Sequence, residues 1–361
     1  MSRIFCLISA LVVCGQSHAA YGVERVFPGI EWEIKPPAEL NVNQEQLQAL
    51  ADDLDGRGFI SRKGYQIFTW GDYRERGDIA SAAKPFYAHF LFKAYETGRI
   101  PSLDEPVAVW EPHLETINAD LYRKDRAITW RHLANQTSSY GLAELPGTAF
   151  AYNDWQMALF WDILFKEVYE TDFTSVDEDV FRPLLTDEIG FQDAPTMMAF
   201  GTDDRPGRVS LSPRDHARFG LLYMHEGSWK GTPLLRQDLV KRAVCEPVPN
   251  TIPRAGFEET EMIEGQRSIG STRVPDNQTP HRGSYSWLWW INGVDAEGRR
   301  HWPDAPEGVY AALGHDGRRG MAVMPSLEIV MAWNDIRLDH MESAPHPLNN
   351  VFRRLVASVE E

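Results

Sequence analysis

The sequence is short of cysteine, with three in 361 residues. That excludes a small fold held together by disulfides, and Cys245 has no CxxC or metal-type neighbour. Positive charge is also scarce: 36 Lys plus Arg stand against 52 Asp plus Glu, a net charge of −16. A nucleic-acid partner is excluded on that balance, because phosphate contacts need a basic face. No apolar run reaches the roughly 20 residues of a membrane-spanning helix. There is no HExxH and no pair of His at metal-ligand spacing, so no metal is expected. GxSxG, GxxxxGK[ST] and GxGxxG are all absent, which argues against an α/β-hydrolase elbow and against a nucleotide cofactor. No cofactor and no obligate protein partner are expected. Aromatic residues, in contrast, are abundant at 12 Trp, 12 Tyr and 17 Phe. They suit a large core, and Trp also lines pockets for small molecules.

Residues 1–19 read as a secretory signal. Arg3 is followed by the apolar Ile4–Val13 and by small residues around Ser17-His18-Ala19. The expected location is therefore periplasmic or secreted, with lipid anchoring at Cys14 disfavoured by the bulky Val13. Removal of Cys6 and Cys14 with the signal leaves Cys245 as a lone, quiet thiol. Asn43 with Gln46 marks a helix start, and Leu47, Leu50, Ala51 and Leu54 follow at helical spacing. Tyr65–Trp70 reads as a strand, and Phe86–Tyr95 as a helix apolar almost all round. Further helices are expected over 129–135, 155–169, 216–225 and 233–244, then a long surface excursion over 245–282. Val309–Leu313, Gly320–Met324 and Glu328–Trp333 read as antiparallel strands, and Leu348–Val359 as an amphipathic closing helix. Strands therefore lie at both ends of the chain and helices in the middle. The expected division is a sheet domain from 20–80 and 284–361 with a mostly helical domain, 81–283, inserted.

The one SxxK in the chain is Ser81-Ala82-Ala83-Lys84. Helix positions three apart share a face, so the Lys84 amine can reach the Ser81 hydroxyl. A neutral Lys there can take the hydroxyl proton. Pro85 suits the first turn of a helix, which places Ser81 at its start with a free backbone N–H for an oxyanion. The same proline biases Lys84 away from helical geometry. The bland alternative is a capping Ser and an exposed Lys.

The segment Gly77–Lys84 resembles the nucleophile segment of the class C β-lactamase-like serine hydrolases, a group that includes penicillin-binding peptidases, esterases and amidases. Further stretches resemble the same family: Glu96–Ile100 with Leu103–Val107, Ile128–Ser139, Pro146–Asp154 ("PGTxFxYSN"), Ser212–Gly220, and Gly314-His315-Asp316-Gly317, an HxG in place of KTG. Together they span most of the chain in family order. The resemblance implies an α/β (α+β) fold, an antiparallel sheet flanked by helices. It implies Ser81 as acylated nucleophile, Lys84 as its proton partner and Tyr152 as the phenol that relays or accepts the proton. The third motif, on a strand facing the nucleophile, implies His315 and Gly317 as substrate contacts. The oxyanion donors would be the N–H groups of Ser81 and Arg318.

Three departures from the family pattern bear on the substrate. Asp154 stands where the family has Asn. A carboxylate there favours a protonated Lys84 and cannot donate to a substrate carbonyl, which argues against efficient penicillin hydrolysis. Asp154 serves equally well as a cap for the following helix. Only four residues separate Gly141 from Pro146, so an open rim is expected. Arg318-Arg319 offer a carboxylate clamp or simply two surface charges. Strand alternation through 286–291 would send Trp287 and Trp289 to one face and Trp290 to the other, with core packing the default. The reading is an exported hydrolase acting on a small-molecule or cell-wall-derived ester or amide. The alternatives are a β-lactamase or D,D-peptidase, and a non-catalytic binding protein on the same fold.

Overall fold

The computed structural model describes residues 25–360 except 198–207, 257, 267, 269–277 and 340–345. The signal read in 1–19 lies outside them. Helix α1 (Gln44–Leu54) begins where the sequence marks it: the Asn43 side chain accepts from the Gln46 N–H at 3.1 Å, and the four expected apolar residues are the buried ones. Strands β1 (Arg57–Arg62) and β2 (Tyr65–Trp70) follow. Two short pairs come next in chain order, β3 (Gly77–Asp78) with β4 (Ser210–Leu211), and β5 (Ser228–Trp229) with β6 (Thr232–Pro233). The remaining strands are β7 (Tyr285–Ser286), β8 (Trp289–Ile291), β9 (Tyr310–Gly314), β10 (Arg319–Met324) and β11 (Ile329–Asn334).

Seven of these form one sheet in the order β2-β1-β11-β10-β9-β8-β7. Every adjacent pair is antiparallel. The N-terminal hairpin thus docks on strands from the far end of the chain, as in Phe59 opposite Ala332. All six residues of β11 are buried. Alternate strand residues face opposite sides, so both faces of the sheet centre are covered. Helix α6 (Pro213–Met224), capped by the Ser212 hydroxyl, packs on β1, β10 and β11. Gly220 permits that approach: a Cβ there would lie 2.6 Å from Val330 Cγ1 and 2.7 Å from Met321 Sδ. On the same helix Arg214 pairs with Asp193 at 2.6 Å, while Arg218 donates to the carbonyls of Gly29 and Ile30. The N-terminal lead is thereby tied to the helix. The closing helix α8 (Leu348–Ala357) packs on α1.

Between the two sheet segments lie α2 (Lys84–Glu96), α3 (Trp130–Ala134), α4 (Asp154–Trp161), the short α5 (Asp187–Ile189) and α7 (Gln237–Cys245). From Lys84 to Phe92 every residue of α2 is buried, which explains its all-round apolar pattern. Three expectations are corrected. The helix read over 155–169 is α4 running into a π-helical stretch, Asp162–Val168. The helix read from Pro233 starts only at Gln237, because Thr232–Pro233 pairs with β5. Alternation fails at Trp287 and Leu288, whose positive φ values (44° and 69°) make the turn between β7 and β8. Cys245 is disulfide-bonded in the full-length chain, whereas the lone-thiol expectation concerns the chain without Cys6 and Cys14. Nine of the twelve Trp are buried, which assigns most of the aromatic excess to the core. Among the described residues, no helix is long and apolar enough to cross a membrane.

Candidate active site

The segment before Ser81 is a constrained turn. Asp78 closes β3, and its carboxylate accepts the Ala80 N–H at 2.8 Å. Ala80 then takes a left-handed conformation (φ 50°), which is costly for a residue with a Cβ and is kept where surroundings enforce it. A single 3-10 turn, Ala80–Ala83, leads into α2. Lys84 is helical (φ −57°, ψ −41°), so the bias imposed by Pro85 is overridden. The proline falls in the first turn, where its missing N–H costs no helix bond. The Ser81 N–H has no acceptor among the described residues, as expected for the start of a helix.

Lys84 is where three side chains converge. It is buried and donates from Nζ to Ser81 Oγ at 2.8 Å. Asp154 Oδ1 lies 3.7 Å from the same nitrogen, and the Tyr152 ring centroid 4.6 Å away. Burial by itself would discharge the ammonium. The negative charge available at Tyr152 and Asp154 outweighs burial, and the pKa of Lys84 stands above its ordinary value. Asp154 is not the helix cap. Asn153 caps α4 by accepting the Gln156 N–H at 3.0 Å, which frees the Asp154 carboxylate for Lys84.

The third motif is placed differently from expectation. Gly314 pairs with Arg319, so His315-Asp316-Gly317-Arg318 is the four-residue turn between β9 and β10 rather than strand. His315, Asp316 and Gly317 all have positive φ and line the cleft. Arg318 does not. Its N–H donates to the His315 carbonyl at 3.1 Å within the turn, and its guanidinium pairs with Asp339 at 2.7 Å. The expectation of Arg318 as an oxyanion donor is therefore corrected, because turn closure uses the donor. Arg319 pairs with Asp335 and Asp78. The backbone that meets Ser81 is Gly314: a Cβ on it would lie 2.9 Å from Ser81 N and 2.4 Å from the Ile79 carbonyl oxygen. The next N–H, that of His315, has no acceptor among the described residues.

These groups line a cleft of about 540 Å³. Sequence reading did not single out four of its residues: Arg208, which donates to Asp78 at 2.8 Å, Arg282, His301 and His346. None carries a motif of its own. Trp290 does line the cleft, stacked beside His301 (ring centroids 5.8 Å apart), whereas Trp287 and Trp289 are core. The short segment Gly141–Pro146, where an open rim was expected, is joined to the excursion and does not itself line the cleft. Leu142 pairs with Glu259, and the Ala143 N–H donates to the Glu258 carbonyl at 3.0 Å, so the excursion edges it. Among the described residues, no group of three His, Cys, Asp or Glu is placed to hold a metal ion.

A family model described as Beta-lactamase matches residues 70–333. No curated protein matches the sequence. Among solved structures, a candidate beta-lactamase from Bacteroides dorei is similar with a TM-score of 0.62 at 16% identity, covering 87% of this chain and 97% of that one. A candidate 6-aminohexanoate-dimer hydrolase from Bacillus anthracis gives 0.58 at 15% identity, over 92% and 87%. A penicillin-binding protein homologue from Caulobacter crescentus gives 0.55 at 14% identity, over 92% and 98%. At such identities the structural likeness speaks for the fold alone, an antiparallel sheet with helices.

Proposed function

The chain belongs to the beta-lactamase family, and on that premise we propose that it is a serine hydrolase cleaving an ester or amide through an acyl-enzyme on Ser81. The observation that carries the proposal is the 2.8 Å hydrogen bond from buried Lys84 to Ser81 Oγ inside the cleft. A capping Ser with an exposed Lys, or a purely binding protein, gives no reason for that buried pair. Ser81 Oγ attacks the carbonyl carbon, and its proton passes to the Lys84–Tyr152 pair. Because Lys84 is held as the ammonium, we assign the acceptor role to Tyr152, with Lys84 offsetting the phenolate charge. The carbonyl oxygen, negative in the tetrahedral intermediate, is taken by the N–H groups of Ser81 and His315. The pair then returns the proton to the leaving group, and water repeats the sequence to free Ser81.

Esters and simple amides are favoured over penicillins. Asp154 presents a carboxylate beside Lys84 where a donor to a substrate amide would be needed. The signal read in residues 1–19 supports a substrate met outside the cytoplasm. The test is a fluorophosphonate probe followed by mass spectrometry, with p-nitrophenyl esters run against nitrocefin. The expected result is one adduct, on Ser81, and ester turnover exceeding that of nitrocefin. A folded enzyme that takes no adduct would remove the acyl-enzyme.

Asp154 supplies a separate check. Its charge favours the protonated Lys84, so Asp154→Asn lowers the pKa of that ammonium. Proton removal from the coupled pair becomes easier, and the rising limb of kcat/KM against pH is expected to move to lower pH. An unmoved limb in a folded variant would show that Asp154 does not act on the pair.

A further inference from the structure

The segment that carries Tyr152 runs past a cluster of polar side chains that the proposed reaction does not use. Gln136, Ser138, Asn153 and Gln156 are all buried, and none of them lines the cleft. Their hydrogen bonds follow from one fixed donor. The Asn153 N–H can only donate, so the Gln136 atom that meets it at 3.3 Å is Oε1. That oxygen also accepts from Gln156 Nε2 at 3.2 Å, and the same Nε2 donates its second hydrogen to the Ala151 carbonyl. Gln156 Oε1 is left to accept from the Ser138 hydroxyl at 2.7 Å. Gln136 Nε2 donates to the Leu133 carbonyl at 3.3 Å and to Met157 Sδ at 3.0 Å. Every hydrogen of both amides is therefore placed, and a buried network satisfied in this way is rigid.

The network closes on the backbone to either side of Tyr152. The Ala151 N–H donates to the Gln136 carbonyl at 2.9 Å, while the Asn153 N–H goes to the side chain of the same residue. Gln136 makes both contacts from a left-handed conformation (φ 57°), two positions past the end of α3. The Gln278 N–H donates to the Tyr152 carbonyl at 3.0 Å. With both flanking N–H groups and its own carbonyl held, Tyr152 leaves the backbone in one direction, its ring centroid 4.6 Å from Lys84 Nζ. Filling the core asks only for Leu or Met at 136 and 156. An amide there adds a desolvation cost that only these bonds offset.

We propose that Gln136 and Gln156 are positioning residues for Tyr152. They fix the peptides from which the phenol projects, and so set the proton acceptor against Lys84 and Ser81. They touch no substrate, and their effect on the rate passes through Tyr152. The proposal rests on the reading of Tyr152 as proton acceptor in the acyl-enzyme reaction.

A double-mutant cycle on p-nitrophenyl butyrate hydrolysis tests it. Gln136→Met keeps an unbranched side chain but removes the Oε1 acceptor and the Nε2 donor. It is expected to lower kcat roughly 10- to 100-fold with KM nearly unchanged, as a displacement of about 1 Å at a reacting group does. Gln136→Glu should recover most of the rate, because a buried carboxyl stays protonated and keeps one acceptor and one donor. In a Tyr152→Phe background, itself slow, Gln136→Met should cost nothing further, since the group it positions is gone. Tm is expected to fall by the same amount in both backgrounds, which is all that a purely structural role would give. If Gln136→Met does not fold, Ser138→Ala takes its place in the cycle. It removes the hydroxyl that orients Gln156, and a smaller kcat loss with the same non-additivity is expected. Parent-like kcat in the folded variant, or a loss of equal size in the Tyr152→Phe background, overturns the proposal and leaves the acyl-enzyme reading intact. A parent that takes no fluorophosphonate adduct on Ser81, or a Tyr152→Phe variant as fast as the parent, overturns that reading, and the positioning role falls with it.

Discussion

Replacing Ser81 by alanine is expected to reduce ester hydrolysis by on the order of 10⁴- to 10⁶-fold and to abolish fluorophosphonate labelling. The magnitude is that of removing a nucleophile whose residual activity comes only from binding and oxyanion donors. Stability should barely change. Among the described residues Ser81 Oγ makes one hydrogen bond, from Lys84, and Lys84 keeps Asp154 and the Tyr152 ring as neighbours. A change within about 1 kcal/mol is therefore expected on removing that single contact. Circular dichroism and thermal unfolding check the fold while the ester assay and mass spectrometry check the chemistry. A folded variant that hydrolyses or labels as the parent does would place the nucleophile elsewhere.

The second large effect concerns a residue with no side chain. Gly314→Ala would bring a methyl group to 2.4 Å from the Ile79 carbonyl oxygen and 2.9 Å from the backbone nitrogens of Ser81 and Ala82. All three contacts are to backbone, so neither partner can rotate away. The turn that holds Ser81 must shift, or the end of β9 must withdraw from it. Either movement separates the Ser81 and His315 N–H groups and misaims the hydroxyl. A displacement of about 1 Å at a reacting group costs on the order of 10²-fold in rate. Overpacking of this kind also costs about 1–3 kcal/mol of stability. The expected result is a kcat loss on that scale together with a lower Tm. Parent-like kcat in Gly314→Ala would mean that the turn and the strand are not coupled as described. The two substitutions differ usefully, since Ser81→Ala removes chemistry from an intact fold and Gly314→Ala disturbs the geometry around intact chemistry.

Much of the fold was legible because it rests on short-range signals. Asn43 and Gln46 announce α1 by capping, and the all-round apolar run in α2 announces its burial. The three C-terminal strands carry their own turn residues. The Ser81–Lys84 pair was legible for the same reason, as positions three apart on one helical turn must meet. What misled was also local. The Trp-rich stretch 286–291 reads as one strand, but Trp287 and Leu288 make a turn, and the expected alternation holds only within β8, where Trp289 goes to the core and Trp290 lines the cleft. Asp154 looked equally good as a cap or a site residue, and only the capping geometry of Asn153 separates the two.

The sequence by itself determined the family resemblance, the Ser81–Lys84 pairing and the strands at both ends of the chain, because caps, helical spacing and alternation depend on residues a few positions apart. Tertiary structure alone decided that the Gly314 backbone meets Ser81. That choice follows from the pairing of Gly314 with Arg319, which closes the third motif into a turn and withdraws Arg318 from the cleft. It alone also brought Arg282, His301 and His346 to one wall. No periodicity links positions so far apart. Their meeting is set by how the connection from β8 to β9, the excursion before β7 and the start of α8 pack around the sheet.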